Sequence, residues 1–318
     1  MARAAAAYYA RGTAFGRAGD FTTAPEISQA FGEVLGAWAA IAWMQMGRPD
    51  PVILAEAGPG RGTLMADARR AIAQAAPDFA AALRLHLVET SATLRALQAG
   101  TLPDATWHAS VADLPAGPLI LLANEMLDAL PIRAFEWRGG WQERFVQDGR
   151  FLLRPPQGPP ALPDSAPEGA VFEVNEAARE LVAGLAARRA TALFLDYGPA
   201  CPGFGETLQA VARHATGLDP LAEPGTRDLT AHVDFAALAD AARAAGGAAH
   251  GPLPQGLFLA RIGLPRRAAM LAQSSPRRAG EILSGAERLL APEGMGRLFK
   301  ALALCDPALP APPGFEAA

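Results

Sequence analysis

Hydrophobic residues recur at helical spacing between Glu26 and Met46. The apolar positions of this segment are Ile27, Phe31, Val34, Leu35, Trp38 and Ile41. They share one helical face, so the segment is predicted to be an amphipathic helix. Thr23 and Glu26 have the spacing of a capping box, in which each side chain bonds the backbone of the first turn. Pro25 suits that first turn, and Gly47 is placed to end the helix.

Beyond Val52, short apolar runs alternate with further helical patterns. The apolar runs that predict strands are VILAEA, LHLVE, TWHA, PLILLAN, TALFLDYG and GRLFKALAL. The helical patterns are TLMADARRAIAQ, SATLRALQAG, HVDFAALADAARAAG and two Arg-rich stretches over residues 265–290. Strands that alternate with helices favour the α/β class, here a Rossmann-like, doubly wound and mainly parallel sheet.

In the middle of the chain the hydrophobic period shortens to two. IRAFEWRGGWQERFVQDGRFLLRPP contains three alternating segments separated by glycine turns, which predicts an antiparallel β meander. A Pro-rich loop and a helix over about 175–189 follow. We therefore expect three parts in the chain. They are an N-terminal helical lid segment (1–50), a cofactor-binding α/β domain (51–131 and 191–318) and a β-meander/helix insertion (132–190).

Composition and charge exclude several classes of protein. The formal net charge of −4 provides no overall basic field, so we expect no nucleic-acid partner. No apolar run reaches the roughly 18 residues of a membrane-spanning helix. Two cysteines are too few for a disulfide framework, and no metal-ligand spacing occurs, so no metal site is expected. We expect a cytoplasmic location and leave a homodimer open.

A glycine-rich loop follows the first predicted strand and precedes a helix. Gly58, Gly60 and Gly62 would let the backbone turn sharply and let a ligand lie against main-chain atoms. The pattern E-x-G-x-G-x-G, which begins at Glu56, differs from the dinucleotide fingerprint and favours S-adenosylmethionine (SAM), because an acid there can hold the ammonium of the methionine part. Glu89 ends the second strand, where a carboxylate can accept both ribose hydroxyls of SAM or equally of NAD.

Three more residues are candidate cofactor ligands. Asp113 follows the third strand and could accept a hydrogen bond from the adenine amino group, although an acid before Leu-Pro could equally cap a turn. Asp20 and Thr22 belong to a polar loop, GDFTTAPEIS, that could fold over the cofactor.

The candidate methyl-transfer residues follow the fourth strand, in ANEMLDALP. Asn124 is expected at the cofactor, and Glu125 and Asp128 at the methyl acceptor, because chemistry on such sheets occurs at the carboxyl ends of the strands. Paired carboxylates suit an arginine, whose planar guanidinium they can bind in bidentate fashion. The alternative is that both acids cap the next helix. His232 could line the substrate cleft, whereas Asp234 is equally explained as a helix cap.

Several longer motifs resemble the MidA-like family of class I SAM-dependent methyltransferases. They are GRAGDFTTAPEISQAFGEVLGAW, LAEAGPGRGTLMAD, HLVETSATLRALQ, ANEMLDALPIRAF, LDYG, TLQAVARH, PGTRDLTAHVDFAALA, GPLPQGLFL and MGRLFKALAL. The resemblance implies a class I methyltransferase fold and methylation of a protein arginine, in mitochondrial members on a subunit of respiratory complex I whose assembly they assist. A SAM-binding assembly factor with weak or lost catalysis is the alternative. A nicotinamide-dependent oxidoreductase is disfavoured by the glycine spacing and by the lack of a hydride-relay histidine.

Overall fold

The strands of the computed structural model form three sheets. The model describes residues 1–9, 23–158, 160–201, 203–212 and 215–316. Strands are β1 (Val52–Ala57), β2 (Leu83–Val88), β3 (Thr106–His108), β4 (Leu119–Asn124), β5 (Arg133–Trp137), β6 (Trp141–Gln147), β7 (Arg150–Arg154), β8 (Val171–Val174), β9 (Thr191–Tyr197), β10 (Gln209–Ala212), β11 (Ala215–Leu218), β12 (Asp228–Thr230), β13 (Ala248–Pro254) and β14 (Phe299–Cys305).

Eleven α-helices accompany the sheets within the described residues. They are α1 (Ala2–Tyr9), α2 (Ala24–Ile27), α3 (Gln29–Gln45), α4 (Thr63–Ala75), α5 (Pro77–Ala82), α6 (Ala92–Thr101), α7 (Glu176–Ala187), α8 (Phe235–Ala244), α9 (Gln255–Arg261), α10 (Leu264–Ser274) and α11 (Ala279–Leu290). None of these helices is both long and apolar enough to cross a lipid bilayer.

The central sheet has seven strands in the order β13-β14-β9-β4-β1-β2-β3. All neighbouring pairs are parallel except those that β14 makes with β9 and β13. Strands β1 and β4 are buried along their whole length, as their continuous apolar sequences require. The chain runs from β1 outward to β3 and then returns to the other side of β1, so the strand order reverses between β1 and β4. A ligand cleft is expected at that point, at the carboxyl ends of the strands.

Helices cover both faces of this sheet, so the predicted doubly wound architecture is confirmed. On one face the core contains Phe31 of α3, Leu64 of α4 and Phe258 of α9. On the other face it contains Val182 of α7 and Leu238 of α8. Each helix therefore buries one apolar face against the sheet, where burial of a large side chain contributes about 1.5–3 kcal/mol.

The predicted β meander forms a separate antiparallel sheet, in the order β7-β6-β5-β8. Strand β8, which pairs with β5, was not predicted. Neither were β13 and the small sheet of β10, β11 and β12. Helix α7, which sequence analysis assigned to the insertion, packs Val182 and Leu185 into the core beside Phe235 of α8. The boundaries of the three predicted parts stay a prediction.

The helix predicted between Glu26 and Met46 is interrupted. Ser28 adopts an extended conformation (φ −148°) and separates α2 from α3. The prediction of a capping box is wrong, because the Thr23 side chain makes no cap hydrogen bond. The Glu26 carboxylate instead accepts a hydrogen bond from Thr63 at the start of α4 (2.5 Å), so a tertiary contact replaces the local one.

Candidate active site

The glycine loop joins β1 to α4 at the point where the strand order reverses. Gly58, Gly60 and Gly62 all have positive φ, of 67°, 53° and 81°. This left-handed conformation is open to glycine at little cost, which explains the residue type at all three positions. The Gly58 N–H donates to the carbonyl of Val88 on β2 (3.0 Å), so the loop lies against the neighbouring strand end.

Gly58 is also required by a close approach. A Cβ atom at this position would lie 2.7 Å from Cγ of Met126, which follows β4. The loop and the end of β4 thus form two walls of one narrow cleft. The cleft is lined by Thr23, Pro25, Glu26, Glu56, Gly58, Pro59, Gly60, Arg61, Thr63, Leu64, Asn124 and Glu125.

Glu56 presents an unpaired carboxylate oxygen in this cleft. The side chain is 2% exposed, and its Oε2 atom has no hydrogen-bond partner among the described residues. Burial raises the pKa of Glu56 to about 8, partly offset by a hydrogen bond from the backbone of Met65. A buried acceptor without a partner is costly, so the site favours a ligand that donates hydrogen bonds or carries positive charge. The ammonium of SAM has both properties.

Asn124 supplies a second unpaired acceptor on the opposite wall. Its Oδ1 atom is buried without a partner among the described residues. Its Nδ2 group donates to Oε1 of Glu125 (3.1 Å). Asn124 therefore faces the cleft with one end of its amide and orients Glu125 with the other.

Glu89 lies at the end of β2 and is held by two donors. The Ser91 N–H donates to its Oε1 (2.8 Å), and Nε2 of Gln98 donates to its Oε2 (3.3 Å). Burial is the largest influence on Glu89 and raises its pKa. The carboxylate is thus fixed beside the glycine loop, where the hydroxyls of a ribose could reach it.

Gln98 is a site residue that sequence analysis missed. Its Nε2 group also donates to the carbonyl of Gly60 (2.7 Å), and its Oε1 accepts from the indole N–H of Trp107 on β3 (2.8 Å). This buried side chain therefore ties the glycine loop to Glu89. Within its helix it occupies an ordinary position, so no local pattern in the sequence distinguishes it.

The other three predicted cofactor residues stay predictions. Asp113 is exposed at the end of a single 3-10 turn, Val111–Asp113, which Ser110 caps. That arrangement fits the turn interpretation as well as an adenine contact. Asp20 and Thr22 lie outside the described residues.

Glu125 begins a tight turn at the end of β4. It has a positive φ of 51°, which is unusual for a side chain of this size, and its N–H donates to the carbonyl of Leu195 (2.8 Å). Its Oε1 atom accepts from the N–H of Ala24 at the start of α2 (2.8 Å) as well as from Asn124. Burial raises the pKa of Glu125. The structure thus directs this carboxylate into the cleft and not onto a following helix.

Asp196, at the end of β9, holds the turn that carries Asp128. Its Oδ2 atom accepts from the backbone N–H groups of Met126 (3.1 Å), Leu127 (2.8 Å) and Asp128 (3.3 Å). Burial raises the pKa of Asp196 to about 7. Sequence analysis noted only that Asp196 ends a strand at this edge, whereas the structure shows that it fixes the backbone of the acceptor-side segment.

Asp128 is buried next to further acids. Its pKa is raised well above the usual value, first by burial and then by the charges of Asp196, Asp228 and Glu125. Asp228, on β12, is a buried carboxylate that sequence analysis did not single out. Its only sequence signal is its place in the PGTRDLTAHVDFAALA motif. The tertiary fold therefore gathers acids from three strand ends.

His232 lies beside this group but is exposed to solvent. Its ring contacts the edge of Tyr197 at a centroid distance of 5.1 Å, and partial burial lowers its pKa. Asp234 caps α8 by accepting a hydrogen bond from the N–H of Ala237 (3.0 Å), which confirms the interpretation of that residue as a helix cap. A role for His232 in the substrate cleft stays a prediction.

The chain is similar to known proteins over most of its length. Residues 34–253 match a family model described as "Putative S-adenosyl-L-methionine-dependent methyltransferase". The chain is 37% identical to the protein arginine methyltransferase NDUFAF7 homolog of Drosophila melanogaster, over 94% of this chain and 78% of that protein. It is 32% identical to human protein arginine methyltransferase NDUFAF7, over 93% of this chain and 76% of that protein.

One of the solved structures similar to this chain is a crystal structure from Burkholderia thailandensis. It superposes with a TM-score of 0.80 at 28% identity, over 96% of this chain and 83% of that chain, and it contains bound S-adenosyl-homocysteine. The predicted SAM cofactor and class I methyltransferase fold are thereby confirmed.

The predicted cytoplasmic location is wrong. The fruit-fly, rat and human relatives are all named as mitochondrial proteins. The prediction depended on the low cysteine content, which argues only against an oxidising compartment and does not distinguish between reducing ones.

Proposed function

Because the chain belongs to a family of SAM-dependent methyltransferases, we propose that it methylates an arginine side chain of a protein. The names of the relatives support a protein arginine as acceptor. A subunit of respiratory complex I is the substrate that the family resemblance suggests.

The cofactor would be held by the two acids that flank the glycine loop. Glu56 would bind the ammonium, Glu89 the ribose hydroxyls, and the backbone of Gly58, Gly60 and Gly62 would line the path between them. Asn124, whose Oδ1 atom is buried without a partner among the described residues, would contact the methionine part. When bound, SAM supplies a methyl group on a positively charged sulfur.

The observation that carries the arginine assignment is the pair formed by Glu125 and Asp128. Neither carboxylate forms an ion pair within the described residues, although Asp128 is buried and Glu125 is partly buried in the cleft. Buried carboxylates need a cation or a proton. A guanidinium supplies the cation and matches carboxylate geometry, so Glu125 would fix its plane and direct one nitrogen at the methyl group.

Methylation also requires a base. The guanidinium nitrogen that forms the new N–C bond loses one N–H proton, while the S–C bond breaks and its electron pair stays on sulfur. Asp128 is the candidate to receive that proton, because it is a buried carboxylate on the same turn as Glu125, and burial raises its pKa, which makes its ionised form a stronger base.

The test is Glu125→Gln, which keeps the size of the side chain and removes its charge. With radiolabelled SAM and a lysate of cells that lack this protein, we expect methylarginine formation to fall by about 100-fold or more. Calorimetry should show that S-adenosyl-homocysteine binding is retained. Glu293→Gln, at an exposed position, is the matched control. Unchanged turnover of Glu125→Gln would remove the residue from the reaction, and binding without any transfer by the wild type would indicate an assembly factor without catalysis.

A homodimer stays a prediction, which light scattering can test.

A further inference from the structure

Arg61 is the one cationic side chain among the described residues that line the cofactor cleft. It belongs to the glycine loop, and its side chain is 50% exposed. Three acids, Glu26, Glu56 and Glu125, line the same cleft. The proposed site uses Glu56 for the ammonium of the cofactor and Glu125 for the methyl acceptor, and it leaves Arg61 without a role.

The methionine part of SAM carries a carboxylate as well as an ammonium. The buried oxygen of Glu56 that has no partner among the described residues marks the place for the ammonium. Both charged groups are attached to the same carbon atom, so the carboxylate must lie in the same part of the cleft. Glu26 and Glu125 would repel it, because like charges that share a site disfavour each other. A cation is therefore required close to Glu56.

Arg61 can turn toward a ligand, whereas two other side-chain donors of the cleft are directed at acids. The Thr63 hydroxyl donates to Oε1 of Glu26 (2.5 Å), and Nδ2 of Asn124 donates to Oε1 of Glu125 (3.1 Å). Nη1 of Arg61 lies 3.8 Å from Oε2 of Glu26, which is longer than a hydrogen bond. An exposed ion pair of this length contributes little to stability, so exchanging it for a ligand carboxylate costs little.

The first turn of α4 favours an anion in the same region. Gly62 precedes this 13-residue helix and provides no side-chain cap. Thr63 and Leu64, the first two residues of the helix, line the cleft. The N–H groups of a first helical turn have no partner within their helix, and the helix dipole adds positive potential there. Arg61 and the start of α4 thus both favour a carboxylate beside Glu56.

We propose that Arg61 binds the carboxylate of the methionine part of SAM, which replaces Glu26 as the partner of its guanidinium. A guanidinium can bind a carboxylate through two parallel hydrogen bonds, which fixes direction as well as position. With Glu56 on the ammonium and Arg61 on the carboxylate, the amino-acid end of the cofactor is held at both charges. The inference rests on the proposed place of the ammonium at Glu56 and is independent of the proposed arginine acceptor.

The experiment compares two ligands on the full chain by isothermal titration calorimetry. They are S-adenosyl-homocysteine and its decarboxylated analogue, which keeps the ammonium and the adenosine. The wild type should bind S-adenosyl-homocysteine about tenfold more tightly than the analogue, the effect of a hydrogen bond between charged groups. Arg61→Met should lose this preference: its affinity for S-adenosyl-homocysteine falls about tenfold, and its affinity for the analogue stays within about twofold. Arg61→Lys, which keeps the charge, should retain part of the preference.

The pair of ligands separates recognition of the carboxylate from support of the loop. Arg266→Met, at an exposed arginine of α10, is the matched control and should leave both affinities unchanged. Equal losses for the two ligands in Arg61→Met would overturn the proposal, because the residue would then only support the loop. A wild type that binds both ligands equally would overturn it as well. Binding as expected without formation of methylarginine would reject the proposed function and leave this inference intact.

Discussion

Binding of SAM should depend on pH through Glu56. In the free protein, burial raises the pKa of this carboxyl to about 8, so it is mostly protonated at neutral pH. The ammonium of SAM would pair with the ionised form. Binding must therefore release the proton of Glu56, and the affinity should rise as the pH rises toward that pKa. S-adenosyl-homocysteine has the same ammonium and is the more convenient probe.

The magnitude follows from the titration of Glu56. With a pKa of about 8, Glu56 is ionised in about 1% of molecules at pH 6 and in about a quarter at pH 7.5. The α-amino group of the probe belongs to a free amino acid, whose own carboxylate makes the ammonium more basic than a peptide N-terminus, so the ligand stays protonated over this range. The ionised fraction of Glu56 rises about 24-fold, so Kd should fall by about that factor between pH 6 and pH 7.5. Above pH 8 the affinity should level off or decline.

Isothermal titration calorimetry measures both consequences. Kd for S-adenosyl-homocysteine is determined from pH 6 to pH 8.5, and at pH 7 in two buffers of different ionisation enthalpy, which reports proton release. Glu56→Gln should bind more weakly at pH 7.5 and lose most of the pH dependence. Glu26→Gln, at another carboxylate of the same cleft, should keep it.

Two results would refute this reasoning. Wild-type affinity that does not change between pH 6 and pH 7.5 would mean that Glu56 is already ionised in the free protein. A Glu56→Gln variant with the wild-type pH dependence would mean that another group releases the proton. Glu125, which also faces the cleft and has a raised pKa, would then be the next candidate.

Three further changes test separate parts of the site. Gly58→Ala should weaken cofactor binding at least tenfold, because its positive φ and the 2.7 Å approach to Met126 leave no room for a side chain. Gly184→Ala is the control, because this glycine lies in an exposed position of α7 with open space around it, and the substitution should raise the free energy of unfolding by up to about 1 kcal/mol. Equal melting temperatures for the two variants would contradict the argument that the conformation at Gly58 requires glycine. Glu89→Ala should weaken cofactor binding by roughly 1–3 kcal/mol, measured by calorimetry. An unchanged affinity would exclude Glu89 from the cofactor site. Asp196→Asn should lower the free energy of unfolding in urea by about 2 kcal/mol or more, because an amide has one acceptor oxygen in place of two. Either the three backbone N–H groups of the turn or the N–H of Tyr197 then faces an NH2 group; wild-type stability would show that the turn is held by other contacts.

Local patterns in the sequence were sufficient for six of the seven strands of the central sheet and for the cofactor loop. Strand β1 is a continuous apolar run, and the glycines after it all adopt the positive φ for which glycine is suited. Glu56 and Glu89 could be identified because each has a defined place relative to a strand end. These features depend on residues close together in the chain, so the sequence alone was enough to predict them.

Features that depend on distant partners were missed or predicted wrongly. Strand β8 is only four residues long and exists because β5 pairs with it. The helix predicted from Glu26 is interrupted at Ser28, and the Glu26 side chain bonds to Thr63 and does not cap its own helix. The cellular location was predicted wrongly because cysteine content carries little information about the compartment.

The sequence by itself determined the α/β class, the glycine loop and the presence of acids at two strand ends, because backbone preference and hydrophobic period are local properties. Only the tertiary structure decided which distant groups lie together around the strand ends. It joined Gln98 to the glycine loop, placed Asp196 under the turn of Asp128, and brought Tyr9 to Asp228 across 219 positions of the chain. A hydrogen-bond partner is chosen by distance and direction in space, and residues far apart in the chain acquire these only when the sheet and its two helical layers have packed.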